Sequence, residues 1–318
     1  MTLTETQQRL ALSTGIEMDV WTAGGLANPP IIFLHGFPES HRTWRHQMAA
    51  LSDSYYCIAP DQRGYRGSSK PQEVSAYTAD KLTADIFALA DALGIGNFTI
   101  AGHDWGGAIA WSIALNGQAG APNPAWAGRV TRVVIANAPH PFLFQRLLIT
   151  DMHQRASSQY MRAFRDSAND ALVREHGLVG LLAKVVKWDR PSAMEPEERD
   201  ALLADWQDRD AAFGMLNWYR AAAITIPAMD EEVALPALNE AAAGAAMTAA
   251  DFPKLLSPTL VIWAMDDLAL PPCNLDGLEE LVPNSTIVPV HDCGHFVPWE
   301  APQAVNAAMR AFLAAHPA

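Results

Sequence analysis

Short apolar runs alternate with amphipathic stretches through the first half of the chain and again near its end. The runs predict buried strands over residues 31–34, 55–59, 98–101, 130–136, 259–263 and 286–290. Leu82, Ile86 and Leu89 recur at three- and four-residue intervals and predict a helix over residues 78–93, with further helices over 108–115 and 304–313. Strands that alternate with helices predict an α/β fold in which helices flank a mostly parallel central sheet.

The strand pattern is absent from the sequence between residues 139 and 251, where tryptophan and methionine occur among helix-forming residues. We therefore predict a core domain of residues 1–138 and 252–318, interrupted by an all-helical cap of residues 139–251. Within the cap, the carboxylates at 195–198 precede an apolar run and predict the first turn of a helix. The alanine-rich segment 230–250 predicts either a loosely packed helix or a mobile excursion.

The charge of the chain disfavours two classes of partner. It has 22 Lys and Arg against 35 Asp and Glu, a net charge of −13, which would repel nucleic acid and anionic membrane surfaces. Three cysteines without a close pair, Cys57, Cys273 and Cys293, indicate neither a disulfide framework nor a zinc site. The sequence has no leader pattern and no apolar stretch of about 18 residues, so we expect a cytoplasmic protein without membrane contact.

The clearest chemical motif follows the strand predicted at 98–101. Gly102-His103-Asp104-Trp105-Gly106 matches the G-x-S-x-G pattern of a nucleophile elbow, with aspartate in place of serine, and a predicted helix follows it. Upstream, His35-Gly36-Phe37-Pro38 follows another strand, where the loop of an oxyanion hole belongs. The context therefore favours Asp104 as a nucleophile over a turn or capping residue.

An acid and a histidine follow the elbow in the order that a catalytic triad requires. Asp266 and Asp267 follow the strand predicted at 259–263, and His295 follows the strand at 286–290. The position after residues 130–136 offers Asn137 and no carboxylate. His291 lies four residues before His295, but the segment lacks the glutamate and helical pattern of a metal site, so we expect no metal and no cofactor.

These motifs, together with Asp61-Gln62-Arg63-Gly64-Tyr65 and Asn217-Trp218-Tyr219-Arg220, resemble the epoxide hydrolase and dehalogenase branch of the α/β-hydrolase fold family. The resemblance implies that Asp104 attacks a saturated carbon and forms an ester, which a water activated by His295 then hydrolyses. It also implies that Asp267, rather than Asp266, orients His295. The backbone N–H groups of Phe37 and Trp105 are the implied oxyanion donors.

The leaving group separates the two activities of this branch. An epoxide oxygen requires a proton donor such as a tyrosine hydroxyl, whereas a halide does not. The resemblance implies Tyr219 as one donor and places a second in residues 157–164, on Tyr160 or at the position of Ala163. Phe37 stands where haloalkane dehalogenases often place asparagine, and no arginines follow the nucleophile as in fluoroacetate-type dehalogenases.

We therefore predict an epoxide hydrolase, with a haloalkane or haloacid dehalogenase as the alternative. A third hypothesis is a ligand receptor without catalysis. The complete set of Asp104, Asp267 and His295 disfavours it, because a receptor does not need all three. The expected partner is a small hydrophobic epoxide or organohalide, and a homodimer is a possible assembly. Aromatic and sulfur-containing side chains are candidate pocket walls, which favours an aromatic substrate: Trp105, Phe142, Trp188, Met215 and Trp218.

Overall fold

An eight-stranded sheet forms the centre of the molecule in a computed structural model that describes residues 5–186, 194–233 and 252–317. The strands are β1 (Thr6–Ala11), β2 (Glu17–Ala23), β3 (Pro30–Leu34), β4 (Tyr56–Pro60), β5 (Phe98–His103), β6 (Val130–Ala136), β7 (Thr259–Ala264) and β8 (Ser285–Val290). Their order is β1-β2-β4-β3-β5-β6-β7-β8, and every pairing from β4 to β8 is parallel. The predicted α/β class and mostly parallel sheet are confirmed.

The antiparallel strands β1 and β2 have no counterpart in the sequence prediction. β1 is polar and lies at the edge of the sheet, where most of its side chains face solvent. In β2, Met18 and Val20 are fully buried and alternate with other residue types. A search for short continuous apolar runs finds buried parallel strands, and it misses an antiparallel hairpin of this kind.

Helices cover both faces of the sheet. The helices are α1 (Arg45–Leu51), α2 (Ala79–Ala92), α3 (Trp105–Gly117), α4 (Pro141–Thr150), α5 (Met152–Ser157), α6 (Tyr160–Arg165), α7 (Asp170–Val185), α8 (Pro196–Asp205), α9 (Arg209–Ala221), α10 (Leu278–Leu281), α11 (Val297–Glu300) and α12 (Pro302–Ala315). Along β3, Ile31 and Phe33 pack with α1 and α12, whereas Ile32 and Leu34 pack with α2 and α3. This alternation is what a strand buried on both faces requires.

The helices α4 to α9 lie between β6 and β7 in the sequence and pack on the α2–α3 side of the core. In the described part of residues 139–251 the only regular elements are helices, as the pattern predicts, although the domain boundaries at 138 and 252 stay a prediction. The helix predicted to begin near residue 195 is α8, with Glu197 and Glu198 in its first turn. Most of the alanine-rich segment 230–250 lies outside the described residues.

The inserted helices contact the core through close backbone approach and buried hydrogen bonds. Gly214 of α9 lies so close to Gly64 that a Cβ atom on Gly214 would overlap the Gly64 backbone, and one on Gly64 would overlap the Tyr77 ring. The Trp218 indole donates to the Arg63 carbonyl at 2.9 Å, and the Trp206 indole donates to the Pro38 carbonyl at 2.7 Å. These contacts fix α9 and the end of α8 over the loops that follow β3 and β4. Within the described ranges, no helix is long and apolar enough to cross a membrane.

Candidate active site

Asp104 occupies a sharp turn between β5 and α3. Its backbone has φ 49° and ψ −122°, a left-handed conformation that costs a residue with a side chain of the order of 1–3 kcal/mol. The helix α3 begins at Trp105, three residues before the predicted start, so the turn has no spacer between strand and helix. The turn therefore projects the Asp104 carboxylate away from the sheet, with the free N–H groups of the first helical turn beside it.

The positions around Asp104 must be glycine because there is no room for a Cβ atom. A Cβ atom on Gly36 would overlap the Asp104 side chain, and one on Gly102 would overlap the carbonyl of Gly106. A Cβ atom on Gly106 would in turn overlap the carbonyls of Leu34 and His35. The small residues of the elbow thus let the β3 loop, the β5 end and the α3 start lie in contact.

We expect Gly36→Ala to lower turnover by about 100-fold, because displacement of a reacting group by about 1 Å can cost that much. Gly96→Ala is the matched control, since nothing lies within 4 Å of its added Cβ, and it should keep full activity. Steady-state kinetics and thermal melting of both variants measure the effect. Full activity of a folded Gly36→Ala protein would show that the contact does not position Asp104.

His295 lies between two carboxylates. Its Nε2 is 3.5 Å from Oδ2 of Asp104, and its Nδ1–H donates to Oδ2 of Asp267 at 2.7 Å. Asp267 is buried, and its other oxygen accepts hydrogen bonds from the N–H groups of Ala269 and Leu270 at 2.8 and 2.9 Å. The structure thus brings Asp104, His295 and Asp267 together in the arrangement of a triad, with Asp267 rather than Asp266 beside the imidazole.

Asn137 supports the acid from the end of β6, where the sequence offers no carboxylate. Its Nδ2 donates to Oδ2 of Asp267 at 2.8 Å, and its Oδ1 accepts from the N–H of Ala264 at 2.8 Å. The residue is fully buried and has a positive φ of 40°. From the sequence, this position enters only as an alternative place for the acid. Its location after a strand beside β7 is the signal that could have assigned it a supporting role.

Glu300 holds the loop that carries His295. Its two carboxylate oxygens accept from the N–H groups of Gly294 and Phe296 at 2.7 and 3.0 Å, on either side of the histidine. The His295 carbonyl accepts from Nε2 of His103 at 2.9 Å, and Nδ1 of His103 bonds to Glu39 at 3.1 Å. The loop is therefore restrained on both sides of His295. Sequence reasoning missed Glu300, which lies in a separate short helix.

The charges of the pair stabilise each other. Burial by itself raises the pKa of Asp104, but the hydrogen bond and charge of His295, with the charge of His103 and the Phe37 N–H, hold this pKa below its usual value. Burial lowers the pKa of His295, whereas the charge of Asp267 and the contacts with Asp104 raise it well above its usual value. The resting site therefore contains an ionised Asp104 beside an imidazolium.

The predicted oxyanion donors lie next to Asp104. The Phe37 N–H donates to Oδ1 of Asp104 at 2.7 Å. Trp105 is the first residue of α3, so its N–H has no partner within the helix. Both amides are in position to face a carbonyl oxygen formed at Asp104, and their catalytic role stays a prediction.

Two tyrosines face Asp104 from the inserted helices. Tyr219 in α9 is buried and packs edge-on against Phe37 and Trp105, with ring centroids 4.9 and 5.0 Å away. Tyr160 begins α6 and lies 6.3 Å from Tyr219 between ring centroids, whereas Ala163 does not line the cavity that they share with Asp104. Burial, strengthened by the Asp104 carboxylate, raises the pKa of both phenols. Both hydroxyls therefore stay protonated and can donate.

A cavity of about 590 Å³ adjoins Asp104 and is mostly apolar. Trp105 and Phe142 line it, and their contact with substrate stays a prediction. Met215 and Trp218 do not: both are buried, and the Trp218 indole is committed to the Arg63 carbonyl. Trp188 lies outside the described residues. Further lining residues include Thr78, Asp80, Ile109, Pro139, Phe144, Gln145, Met161, Ala222, Ile224, Phe252 and Leu270.

The lining carries little charge. Among the described residues the charged groups that line the cavity are the carboxylates of Asp80 and Asp104, with no lysine or arginine. In the same ranges, no cluster of three or more histidine, cysteine, aspartate or glutamate side chains could hold a metal ion. The arrangement can present a nucleophile, a base and two proton donors to a neutral apolar molecule.

Comparisons with known proteins agree with this geometry. A family model described as the alpha/beta hydrolase fold matches residues 29–302. A solved structure of novel epoxide hydrolases of the alpha/beta hydrolases superfamily, from metagenomes of hot environments, is 64% identical, covers 98% of this chain and 100% of its own, and has a TM-score of 0.90.

Two further relatives are more distant. The Bacillus megaterium epoxide hydrolase in complex with an inhibitor is 29% identical, with coverage of 96% of this chain and 100% of its own and a TM-score of 0.79. Epoxide hydrolase 3 of Xenopus tropicalis is 26% identical over 94% of this chain and 75% of its own length.

Proposed function

The chain belongs to the alpha/beta hydrolase fold family, and we propose that it is an epoxide hydrolase that acts in two steps through an ester on Asp104. The observation that carries this proposal is one cavity that holds an aspartate in the nucleophile elbow and two protonated tyrosines. The 64% identical epoxide hydrolase structure supports the same activity. The resemblance to the epoxide hydrolase branch is confirmed.

In the first step, Asp104 attacks a ring carbon of the epoxide. The carboxylate needs no base, because it is already ionised beside His295. The carbon–oxygen bond of the ring breaks as the ester bond forms, and the developing alkoxide takes a proton from Tyr219 or Tyr160. This step consumes no water. His295, which is protonated at rest, then gives its proton to the tyrosinate, which restores the tyrosine and leaves a neutral imidazole for the next step.

In the second step, water attacks the carbonyl carbon of the ester. His295 accepts a proton from the water, while Asp267 holds the imidazole through Nδ1. The N–H groups of Phe37 and Trp105 stabilise the oxyanion. The bond to the diol oxygen then breaks, that oxygen takes the proton back from His295, and the proton left on Asp104 returns to His295. The ion pair and the free diol result.

Dehalogenation uses the same nucleophile and is the second candidate. The Trp105 indole could serve a halide, but its ring packs edge-on against Tyr219, with the ring centroids 5.0 Å apart. A departing halide has no use for two proton donors with raised pKa values. The tyrosine pair therefore favours the epoxide over the halide.

We expect Tyr219→Phe to slow epoxide opening by about 100-fold and any haloalkane reaction by about threefold or less, because only the alkoxide needs a proton. Tyr77→Phe is the matched control: this buried hydroxyl donates to the Pro71 carbonyl at 2.8 Å, outside the cavity. Turnover of aryl epoxides and of haloalkanes of equal size measures the effect. Equal losses on both would mean that Tyr219 only packs, and no turnover of either class by the unmodified enzyme would favour a receptor.

The substrate class, the location and the assembly of the protein are further expectations. A small hydrophobic epoxide is the proposed substrate, in keeping with the apolar lining of the cavity. The cytoplasmic location and a homodimer both stay predictions.

A further inference from the structure

Two arginines connect the helices that carry the two tyrosines. Tyr160 and Arg165 are the ends of α6, and Tyr219 and Arg220 are neighbours near the end of α9. We infer that Arg165 and Arg220 together set the distance between the two tyrosine hydroxyls, because each arginine reaches the helix that carries the other. Both arginines are therefore positioning residues for ring opening. This inference rests on the proposed function of the tyrosines as proton donors.

Arg165 donates its hydrogen bonds to the end of α9. Its Nε–H donates to the carbonyl of Tyr219 itself at 2.8 Å, and its two terminal nitrogens donate to the carbonyls of Ala222 and Ile224 at 3.0 and 2.7 Å. The last carbonyls of a helix have no partner within it, and a cation there also interacts favourably with the helix dipole. Arg165 thus fixes the backbone of Tyr219 directly.

Arg220 makes the reverse contact, from α9 to α6. Its Nε lies 3.4 Å from the carbonyl of Phe164 in α6, and another of its nitrogens pairs with Asp170 at the start of α7. Each arginine therefore reaches the backbone of the helix that carries the other. The Phe164 ring fills the space between the helices, 4.9 Å from the Tyr219 ring and 5.4 Å from the Tyr160 ring.

The type of bonding gives Arg165 a geometric role. Among the described residues it has no ion pair with a carboxylate, although its side chain is half-buried. A planar guanidinium can hold three carbonyls in one fixed arrangement, which a lysine ammonium cannot reproduce. Ala222 and Ile224, two of the residues it holds, also line the cavity. The Arg165 side chain therefore fixes the position of the Tyr219 backbone and of the cavity wall next to it.

The chain offers a matched control on the same helix. Arg162 donates from α6 to the carbonyl of Ile226 at 2.8 Å, beyond the end of α9. It has the charge and the type of bond of Arg165, but its side chain donates to Ile226 and not to a residue of α9, the helix that carries Tyr219. Arg162→Met should therefore keep both steps of the reaction near their normal rates.

The test measures ring opening and ester hydrolysis separately, in single turnovers of an aryl epoxide stopped with acid. We expect Arg165→Met to slow formation of the Asp104 ester by about 10- to 100-fold and to change its hydrolysis by about threefold or less, because only ring opening uses both tyrosines. Arg220→Met should give a smaller loss in the same step. Arg165→Lys, which keeps the charge, should lie between Arg165→Met and the unmodified enzyme.

A second measurement distinguishes positioning from general support. In a Tyr160→Phe, Tyr219→Phe background, Arg165→Met should cost little more, because the hydroxyls it positions are absent. The same loss in both backgrounds, or equal losses in the two chemical steps, would overturn the inference. If Arg165→Met does not fold, Arg165→Lys in the two backgrounds decides in the same way.

Failure of the proposed function gives a different result. If the two tyrosine-to-phenylalanine substitutions leave ester formation unchanged, the tyrosines are not the proton donors, and both proposals fall. If those substitutions slow ester formation but Arg165→Met matches Arg162→Met, only the positioning role falls.

Discussion

The His295→Gln variant, mixed with an aryl epoxide, is expected to accumulate an ester on Asp104 that does not turn over. Asp104 attacks without help from a base, so ring opening continues, whereas the water of the second step loses its proton acceptor. Loss of a general base costs about 100- to 10,000-fold. Glutamine keeps a polar side chain of similar reach opposite Asp267. The mass of the intact protein should rise by the mass of one epoxide molecule.

Peptide mapping of the same sample should locate the added mass on the peptide that contains Asp104. His291→Gln is the matched control, because this histidine is exposed, lies four residues earlier and contacts none of the triad in the described contacts. It should turn over normally and carry no adduct. An unmodified Asp104 peptide in His295→Gln, with substrate binding demonstrated, would contradict a covalent intermediate.

Replacement of Asp104 should abolish both steps together. We expect Asp104→Ala to lose about 10,000-fold or more in turnover and to show no adduct, because no other ionised oxygen lies at the end of β5. Asp104→Ser is the informative partner, since it restores the G-x-S-x-G pattern and keeps an oxygen at the same turn. It should also fail on epoxides, because attack by a serine hydroxyl would form an ether, which has no carbonyl carbon for water to attack in the second step.

Rapid-quench kinetics and melting temperatures of both variants test this expectation. Similar melting temperatures establish that the elbow still folds. Turnover of Asp104→Ala above a few per cent of the unmodified rate would mean that water attacks the epoxide directly, with Asp104 in a supporting role.

The order of strands and helices could be predicted because parallel strands buried on both faces are continuous apolar runs. The observed β6 has the predicted bounds, and β3, β4, β5, β7 and β8 differ from their predictions by two residues or fewer at either end. The three members of the triad follow from this order, since each lies just after a strand of the parallel sheet. The polar edge strand β1 carries too little hydrophobic signal for the same reasoning.

Residues that act through the backbone could not be predicted. Glu300 and Arg165 accept from or donate to main-chain groups, which every residue possesses, so no side-chain pattern marks their partners. Asn137 was visible at the end of a strand, but its contact with Asp267 depends on the neighbouring position of β6 and β7. Spatial neighbours of this kind become evident only when the strand order is known.

The pocket prediction failed where it depended on the face of a helix. Successive residues of a helix point about 100° apart, so neighbours can face different surroundings. In α9, Tyr219 faces the cavity while Trp218 donates to a core loop. Both are buried, and hydrophobicity alone cannot distinguish a side chain that lines a cavity from one packed against the core.

Formation of the ester also changes the basicity of His295. In the resting site the nearby Asp104 carboxylate, with Asp267, keeps the imidazole protonated, which would make it useless as a base. Alkylation neutralises Asp104 and removes its contribution, so the pKa of His295 falls at that moment. The His295 imidazolium can then release its proton, and the tyrosinate that is left after protonation of the alkoxide takes it up. Ring opening thus generates the base for the step that follows. In a site without substrate, His295 stays protonated and does not activate water.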